Sequence, residues 1–348
     1  KSSAASDVYK RQGLGGSKIG LFRAGETEFT EETALMVTES NPIGYFEFNK
    51  VPAGSWEIHE IAPPKAFVLN EESFPAEITE DGETIEITIQ NQIIRGTVET
   101  TKADADYPEN KLTGALFEVY ADVDSNGEFN PDIDLLAGEL AESDPGHYQL
   151  KDLVYGGYFL HEQKAPEFFE KDDGYYPFSI TENGAVVRVE TKAGAGFLNQ
   201  AQTGTLKIVK TADDDKIADR KFLVTGTAYA GGEYEQEFQT DEKGEISVTL
   251  RVGKYTVSEL PGEDAAAYEL PSGQTVEIKA GETTTVKMHN KLVPEVPTVP
   301  QTGDHPWTPA VLIGLSVLAV LSAGGLLILR FAGKKKKATG DEDQGAKE

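Results

Sequence analysis

Apolar and polar residues alternate along most of the chain between Leu14 and Leu292. Runs of Val, Ile, Thr, Tyr and Phe are broken by turns rich in Gly, Pro, Asn and Asp. This period of two is typical of strands that bury one face. No segment keeps a helical period for long, so the pattern predicts an all-β structure across this region.

One strand pattern occurs three times, each time as an aromatic residue followed by alternating apolar positions and a glutamate: Trp56–Glu60, Tyr158–Glu162 and Tyr255–Glu259. The spacing of about 100 residues matches the size of a small β-sandwich domain. We therefore predict three tandem copies. Copy one, copy two and copy three are residues 14–94, 95–201 and 202–292.

The glutamate of each repeated strand lies on the apolar face, because residues two apart point to the same side of a sheet. It continues a row such as Tyr158 and Leu160 in copy two. The sequence thus places three carboxyl groups at the core. The residues that precede them are predicted to face solvent: His59, His161 and Ser258.

Two further polar residue types end apolar rows on other strands. An asparagine closes the last predicted strand of each copy, and a lysine closes the first predicted strand of copies two and three. Because these polar residues recur on faces that are predicted to be buried, we do not interpret them as ordinary surface residues. The asparagines are Asn91, Asn199 and Asn290, and the lysines are Lys102 and Lys210.

A buried lysine tends toward its neutral, nucleophilic amine, and a buried glutamate toward its protonated acid. Such an amine can attack an asparagine side-chain carbonyl while the acid polarises that carbonyl and relays protons. Ammonia leaves and a Lys-to-Asn amide remains. The alternative from the residues alone is a buried hydrogen-bonded triad, or solvent-facing residues at frayed strand ends.

The segments that follow these strands, Glu60-Ile-Ala-Pro63, Glu162-Gln-Lys-Ala-Pro166 and Glu259-Leu-Pro261, resemble the glutamate box of Cna B-type (SpaA-type) prealbumin-like domains of Gram-positive pilins and surface adhesins. The resemblance implies tandem Greek-key, immunoglobulin-like β-sandwiches whose first-strand Lys and last-strand Asn form an intramolecular isopeptide bond. By position, the implied bonds are Lys102 to Asn199, assisted by Glu162, and Lys210 to Asn290, assisted by Glu259.

Copy one departs from this pattern. Its segment around Ile19 aligns with the segment around Phe117 of copy two, so Lys18 comes too late to be the first-strand lysine. The equivalent position falls within residues 1–13, which we expect to be a non-native or unstructured start. We therefore expect Glu60 and Asn91 to lack a partner lysine and copy one to have an open edge.

Composition excludes several classes of function. Acidic residues outnumber basic ones 59 to 32, giving a net charge of −27, which argues against binding to a nucleic-acid backbone. The absence of cysteine excludes disulfides and thiolate zinc sites. Five scattered histidines without metal-ligand spacing give no support to a metallohydrolase. We expect no cofactor and no enzyme activity beyond the single intramolecular reaction.

The C-terminal region combines three signals. A spacer and pentapeptide at residues 293–309 precede an uncharged stretch, residues 310–329, which is long enough to span a bilayer as a helix. A tail that begins with a basic cluster, residues 330–348, follows and predicts a cytoplasmic end. The order resembles the sorting signal of Gram-positive surface proteins. The pentapeptide is Val299, Pro300, Gln301, Thr302 and Gly303.

The resemblance to a sorting signal implies cleavage by sortase between Thr302 and Gly303 and transfer of Thr302 to a cell-wall or pilin amine. Val299 replaces the usual leucine, so the sortase class stays open. The predicted location is the cell surface, and the expected partners are sortase and either peptidoglycan or another pilin subunit, with a host or neighbouring-cell ligand as a further one. The predicted function is a wall-anchored stalk of an adhesin or minor pilin. The alternative is a spacer for an enzymatic or ligand-binding head elsewhere in a larger protein.

One acidic loop in copy two begins like a calcium-binding loop, with Asp122, Asp124 and Asn126 at alternate positions. The twelfth position is Ile133, where an EF-hand has a bidentate glutamate. Asp132 and Asp134 flank that position as substitutes. A calcium site and an acidic turn are both open, and the missing glutamate favours the turn.

Overall fold

The computed structural model describes residues 13–294 of the chain, and within them the fold is all-β. The helical content of that part is one short 3-10 turn at Ala265–Ala267. No helix within residues 13–294 is long and apolar enough to span a bilayer. The predicted membrane segment at 310–329, the basic tail and the pentapeptide Val299–Gly303 lie outside the described residues, as does nearly all of the start predicted at residues 1–13.

Copy three is a two-sheet sandwich with a closed core. One sheet has the order β17-β14-β21-β19 and the other β16-β15-β18-β20. Leu206, Ile208 and Met288 from the first sheet meet Phe222 and Val257 from the second in the buried core. The strands are β14 Thr203–Ala212, β15 Lys221–Ala228, β16 Glu233–Gln239, β17 Glu245–Arg251, β18 Gly253–Glu259, β19 Tyr268–Glu269, β20 Gln274–Ile278 and β21 Thr283–Leu292.

Copy two repeats this architecture. Its sheets have the orders β11-β10-β6-β7 and β12-β5-β9-β8, with β13 also paired to β5. Val98, Phe117, Leu160 and Phe197 lie in its buried core. The strands are β5 Arg95–Asp104, β6 Leu116–Ala121, β7 Leu135–Glu139, β8 Ala141–Asp144, β9 His147–Val154, β10 Gly156–Lys164, β11 Tyr175–Ile180, β12 Val186–Arg188 and β13 Phe197–Asn199.

The first and last strands of copies two and three run parallel and are hydrogen-bonded neighbours. In copy two, β5 pairs with β13 so that Lys102 lies opposite Phe197 and Asp104 opposite Asn199. In copy three, β14 pairs with β21 so that Lys210 lies opposite Met288. In both copies the asparagine is two residues beyond the lysine's partner, so the same register brings the two side chains together.

Copy one has one four-stranded sheet within the described residues, in the order β2-β1-β3-β4. Its small core contains Ile19, Leu21, Trp56 and Ile58. Residues 13–94 contain no counterpart of β5 or β14. The strands are β1 Lys18–Arg23, β2 Met36–Glu39, β3 Gly54–Ala62 and β4 Phe74–Ile78.

The last predicted strand of copy one, the row of Ile85, Ile87 and Ile89 that Asn91 closes, is absent from the structure. Ile87 and Ile89 still pack against the core, whereas Ile85 is 39% exposed. In the other copies this segment pairs with the first strand. Because residues 13–94 supply no such neighbour, its backbone has no strand with which to form a ladder, and the prediction of a strand here is wrong.

The prediction that His59 and His161 face solvent is also wrong, because both are buried. The ring of His59 stacks on Phe29 with 3.5 Å between centroids. His161 stacks on Tyr175 at 4.2 Å, and the other face of Tyr175 is covered by Phe129. Alternation assigned these histidines to the outer face of the sheet correctly, but aromatic side chains from loops and a neighbouring strand cover that face.

Candidate functional site

The structure brings Lys102, Glu162 and Asn199 together in the core of copy two, and all three are almost fully buried. The Nζ atom of Lys102 lies 2.9 Å from Oε1 of Glu162 and donates a hydrogen bond to Oδ1 of Asn199. The Nδ2 atom of Asn199 donates to Oε2 of Glu162 over 2.8 Å. One carboxylate therefore bridges the amine and the amide.

The surroundings of Lys102 are mostly apolar. Its Nζ lies 4.5 Å from the ring centroid of Phe197 and 5.7 Å from that of Phe117. Removal from water disfavours the ammonium form, which lowers the pKa of Lys102 to about 8 although Glu162 acts in the opposite direction. The amine of Lys102 is thus closer to its nucleophilic form at neutral pH than an exposed lysine would be.

Copy three brings the corresponding three residues together, but its lysine donates no hydrogen bond to its asparagine. Nζ of Lys210 lies 3.0 Å from Oε2 of Glu259, with an orientation unsuited to a hydrogen bond. Nδ2 of Asn290 donates to Oε1 of Glu259 over 2.8 Å. Burial lowers the pKa of Lys210, against the influence of Glu259. The buried Oδ1 of Asn290 has no hydrogen-bond partner within the described residues, so this carbonyl oxygen remains available for polarisation.

A glycine turn fixes the backbone of each lysine. The amide of Lys102 donates to the carbonyl of Gly146 over 2.7 Å, and that of Lys210 to Gly244 over 2.8 Å. Both glycines have a left-handed backbone, with φ of 72° and 73°. A side chain at position 244 would meet the carbonyl oxygen of Lys210 at 2.8 Å, so a larger residue would displace the strand that carries the lysine.

In copy one a serine occupies the position next to the glutamate. The hydroxyl of Ser17 donates to Oε1 of Glu60, and Nδ2 of Asn91 donates to Oε2 over 2.5 Å. Lys18 points away and pairs with Glu31 on the surface at 2.6 Å. The structure therefore brings Glu60 and Asn91 together, as the alignment predicts, and no lysine of the described residues reaches them.

Sequence reasoning missed Asp172, Asn70 and Ser17. The backbone amide of Asp172 donates to Glu162 over 2.9 Å, and that of Asn70 donates to Glu60 over 2.8 Å. Each donor follows its glutamate by ten residues, a shared spacing that could have revealed them. Ser17 also carried a signal, because it lies two residues before Ile19 and so ends the apolar row of Ile19 and Leu21.

The acidic loop of copy two gathers Asp122, Asp124 and Asp134, whose carboxylate oxygens lie within 4.8 Å of one another. Asp134 accepts backbone N–H groups at both oxygens, from Val123 over 3.0 Å and from residue 130 over 2.7 Å. Asn126 donates its side-chain amide to Asp124 over 2.9 Å. These bonds stabilise the loop as a turn, and calcium binding there stays the untested alternative.

Comparison with protein families gives three matches to one family, the SpaA prealbumin-like fold domain, at residues 5–93, 96–195 and 204–292. These matches cover well over half of the chain. The chain belongs to the SpaA family of prealbumin-like domains. This confirms the resemblance read from the glutamate boxes and the prediction of tandem all-β domains. No curated protein matches the chain significantly.

This SpaA-family chain is similar to several solved structures. The TIE protein of Bacillus anthracis is 23% identical with a TM-score of 0.62, and the match covers 81% of this chain and 49% of that one. The chain thus spans about half the length of that protein. The minor pilin GBS52 of Streptococcus agalactiae is 17% identical, with a TM-score of 0.25 and coverage of 60% and 100%. The major pilin BcpA of Bacillus cereus is 14% identical, with a TM-score of 0.34 and coverage of 80% and 95%.

Proposed function

We propose that this SpaA-family chain is a cell-surface stalk, of the adhesin or minor pilin type, stiffened by isopeptide bonds in copies two and three. The observation that carries the proposal is the carboxylate that bridges a buried lysine amine and a buried asparagine amide in both copies. A buried ion pair without a covalent outcome would stabilise the fold little, since desolvation offsets the attraction between its charges.

The 2.9 Å between Nζ of Lys102 and Oε1 of Glu162 is short enough for a direct transfer of a proton. A proton passes from the Lys102 ammonium to Oε1 of Glu162, which leaves a neutral amine beside a carboxylic acid. The amine attacks Cγ of Asn199 and a C–N bond forms. Glu162 then protonates Nδ2, to which it is already hydrogen-bonded, and accepts the surplus proton from the attacking nitrogen. The bond from Cγ to Nδ2 breaks, and one molecule of ammonia leaves.

Mass spectrometry tests this reaction. A digest of the protein should contain two branched peptides, one joining Lys102 to Asn199 and the other joining Lys210 to Asn290, each lighter by one ammonia than its two parts. Lys102→Met should remove the first branched peptide and leave the second. Linear peptides alone from the unmodified chain would show that each triad is only a hydrogen-bonded cluster.

Attachment to the cell wall by sortase is supported by the sequence signal alone. Protein released from the wall should end at Thr302 and carry a peptidoglycan or pilin amine there. Thr302→Ala should leave the chain unprocessed and held in the membrane fraction. Recovery of the tail from Arg330 onward on mature surface protein would contradict this anchoring.

A further inference from the structure

Copies two and three are joined by a charged clamp. Arg251, the last residue of β17 in copy three, donates to both carboxylate oxygens of Asp104 in copy two, over 2.6 and 2.9 Å. It donates to Asp106 over 2.6 Å, and its guanidinium lies 4.9 Å from the ring centroid of Tyr107. Asp104 is 1% exposed, so this is a two-pronged pair with a buried carboxylate.

The clamped aspartate belongs to the strand that carries the reactive lysine. Asp104 follows Lys102 by two residues on β5 and lies opposite Asn199 in the parallel register. The next amide, that of Ala105, donates to the backbone carbonyl of Asn199 over 2.9 Å. A contact that holds Asp104 in place therefore also holds Lys102 in register with Asn199 along the two strands.

Copy two needs this support more than copy three does. Its last strand, β13, pairs with β5 at three positions, whereas β21 of copy three pairs with β14 at eight. Ala212 occupies the position in copy three that Asp104 occupies in copy two. In copy three the long ladder between β14 and β21 is enough to hold Asn290 in place. In copy two Asn199 lies on a short ladder, and Arg251 of copy three holds the end of that ladder through Asp104.

We propose that Arg251 is a positioning residue, supplied by copy three, for the reaction between Lys102 and Asn199 in copy two. Without its guanidinium, the Asp104 carboxylate would be buried without any cation hydrogen-bonded to it in the described part of the chain, and it would turn toward water. That movement would pull the end of β5 away from Asn199. Since a misplacement of about 1 Å slows a positioned reaction by up to roughly a hundredfold, the bond in copy two should form more slowly.

The inference rests on the proposed isopeptide bonds, and the two crosslinks of one molecule give it an internal standard. The full chain would be synthesised in a cell-free extract, quenched in acid at intervals and digested. The ratio of branched to linear peptide would then be followed for both copies. Arg251→Ala should slow bond formation in copy two by about tenfold to a hundredfold and leave copy three unchanged.

Two further variants separate positioning from general damage. Arg188→Ala removes another arginine paired with a residue of β5, Glu99, which lies away from the reacting end, and it should leave both rates unchanged. Asp104→Asn, added to Arg251→Ala, removes the uncompensated charge and should restore much of the rate in copy two. A mere loss of packing would not be rescued in this way.

The outcomes are distinct. If neither copy of the unmodified chain forms a branched peptide, the proposed function fails. If both copies form one and Arg251→Ala leaves the ratio of their rates unchanged, the bonds stand and the positioning role of Arg251 is refuted. The positioning role of Arg251 is also refuted if Arg188→Ala slows bond formation in copy two as much as Arg251→Ala does.

Discussion

Replacing Glu162 with glutamine tests the mechanism with little change in shape. The Glu162→Gln side chain fills the same space but can no longer receive the Lys102 proton and return it to Nδ2 of Asn199. We expect copy two to form no crosslink, so that Asn199 keeps its amide nitrogen and the domain keeps its full sequence mass. The matched control is Glu60→Gln in copy one, where the same carboxylate position has Asn91 as a neighbour but no lysine among the described residues.

The size of the effect follows from the span of the crosslink. Lys102 and Asn199 are 97 residues apart, and closing a loop of that length lowers the entropy of the unfolded chain by the equivalent of about 4.7 kcal/mol. For a domain of this size, losing the crosslink should therefore lower the melting temperature by roughly 20 to 35 °C. Glu60→Gln should cost only about 1 kcal/mol, the value of an ordinary hydrogen-bond change.

Differential scanning calorimetry of residues 13–294, together with peptide mapping, would measure both effects. The transition of copy two should fall far below its original temperature in Glu162→Gln, and the transition of copy three should not move. If Glu162→Gln still yields the branched peptide, the carboxylate is not the proton relay. If the bond is lost but the melting temperature falls no further than in Glu60→Gln, the entropic account is wrong.

Three other predictions concern copy two. Burial lowers the pKa of Lys102 from 10.5 to about 8. An Asn199→Ala variant, whose lysine stays free, should therefore become more stable as pH rises from about 8 to 10.5, because only the unfolded chain binds the proton there. The slope, up to about 1.4 kcal/mol per pH unit, should vanish when Lys102→Met is added, and a slope that persists would contradict the lowered pKa of Lys102. His161→Ala should destabilise the domain by about 2 kcal/mol, whereas Ser258→Ala at the equivalent position of copy three should change stability by less than about 0.5 kcal/mol; equal melting shifts in calorimetry would refute this. Millimolar calcium should leave the melting of copy two unchanged, since Ile133 stands where a calcium loop has its bidentate glutamate. A rise abolished by Asp134→Asn would instead establish a calcium site.

The period of two was sufficient to find the triads, because Lys102, Glu162 and Asn199 each continue an apolar row. Burial of such a row carries its terminal polar residue into the core. The internal repeat then paired strands that are far apart in sequence. Spacing and repetition thus predicted which side chains meet, although not the amide of Asp172 that donates a second hydrogen bond to Oε2 of Glu162.

The failures have physical causes of a different kind. Alternation tells which side of a sheet a residue occupies, but it does not tell whether a loop covers that side, as Phe29 covers His59. Alternation also does not tell whether a neighbouring strand is present. The row ending at Asn91 has no such neighbour among the described residues and therefore forms no strand there. Arg251 could not be found from pattern at all, because its contact with Asp104 depends on how two domains meet.

The position of the proposed bonds bears on how the stalk carries tension. In copies two and three the first and last strands are parallel neighbours, so a pull on the two ends of a domain would shear them apart along their ladder. In copy two β12 and β13 each form three pairs with β5, in place of the eight continuous pairs of copy three, so its hydrogen bonds alone should resist shear less. A covalent bond between Lys102 and Asn199 would carry tension directly from the first strand to the last and leave the intervening residues unloaded.

The clamp from Arg251 meets β5 two residues beyond that bond, so tension from copy three would reach copy two beside its crosslink. The short last strand of copy two, its buried lysine and its charged contact with the next domain are therefore parts of one load-bearing joint in the proposed stalk.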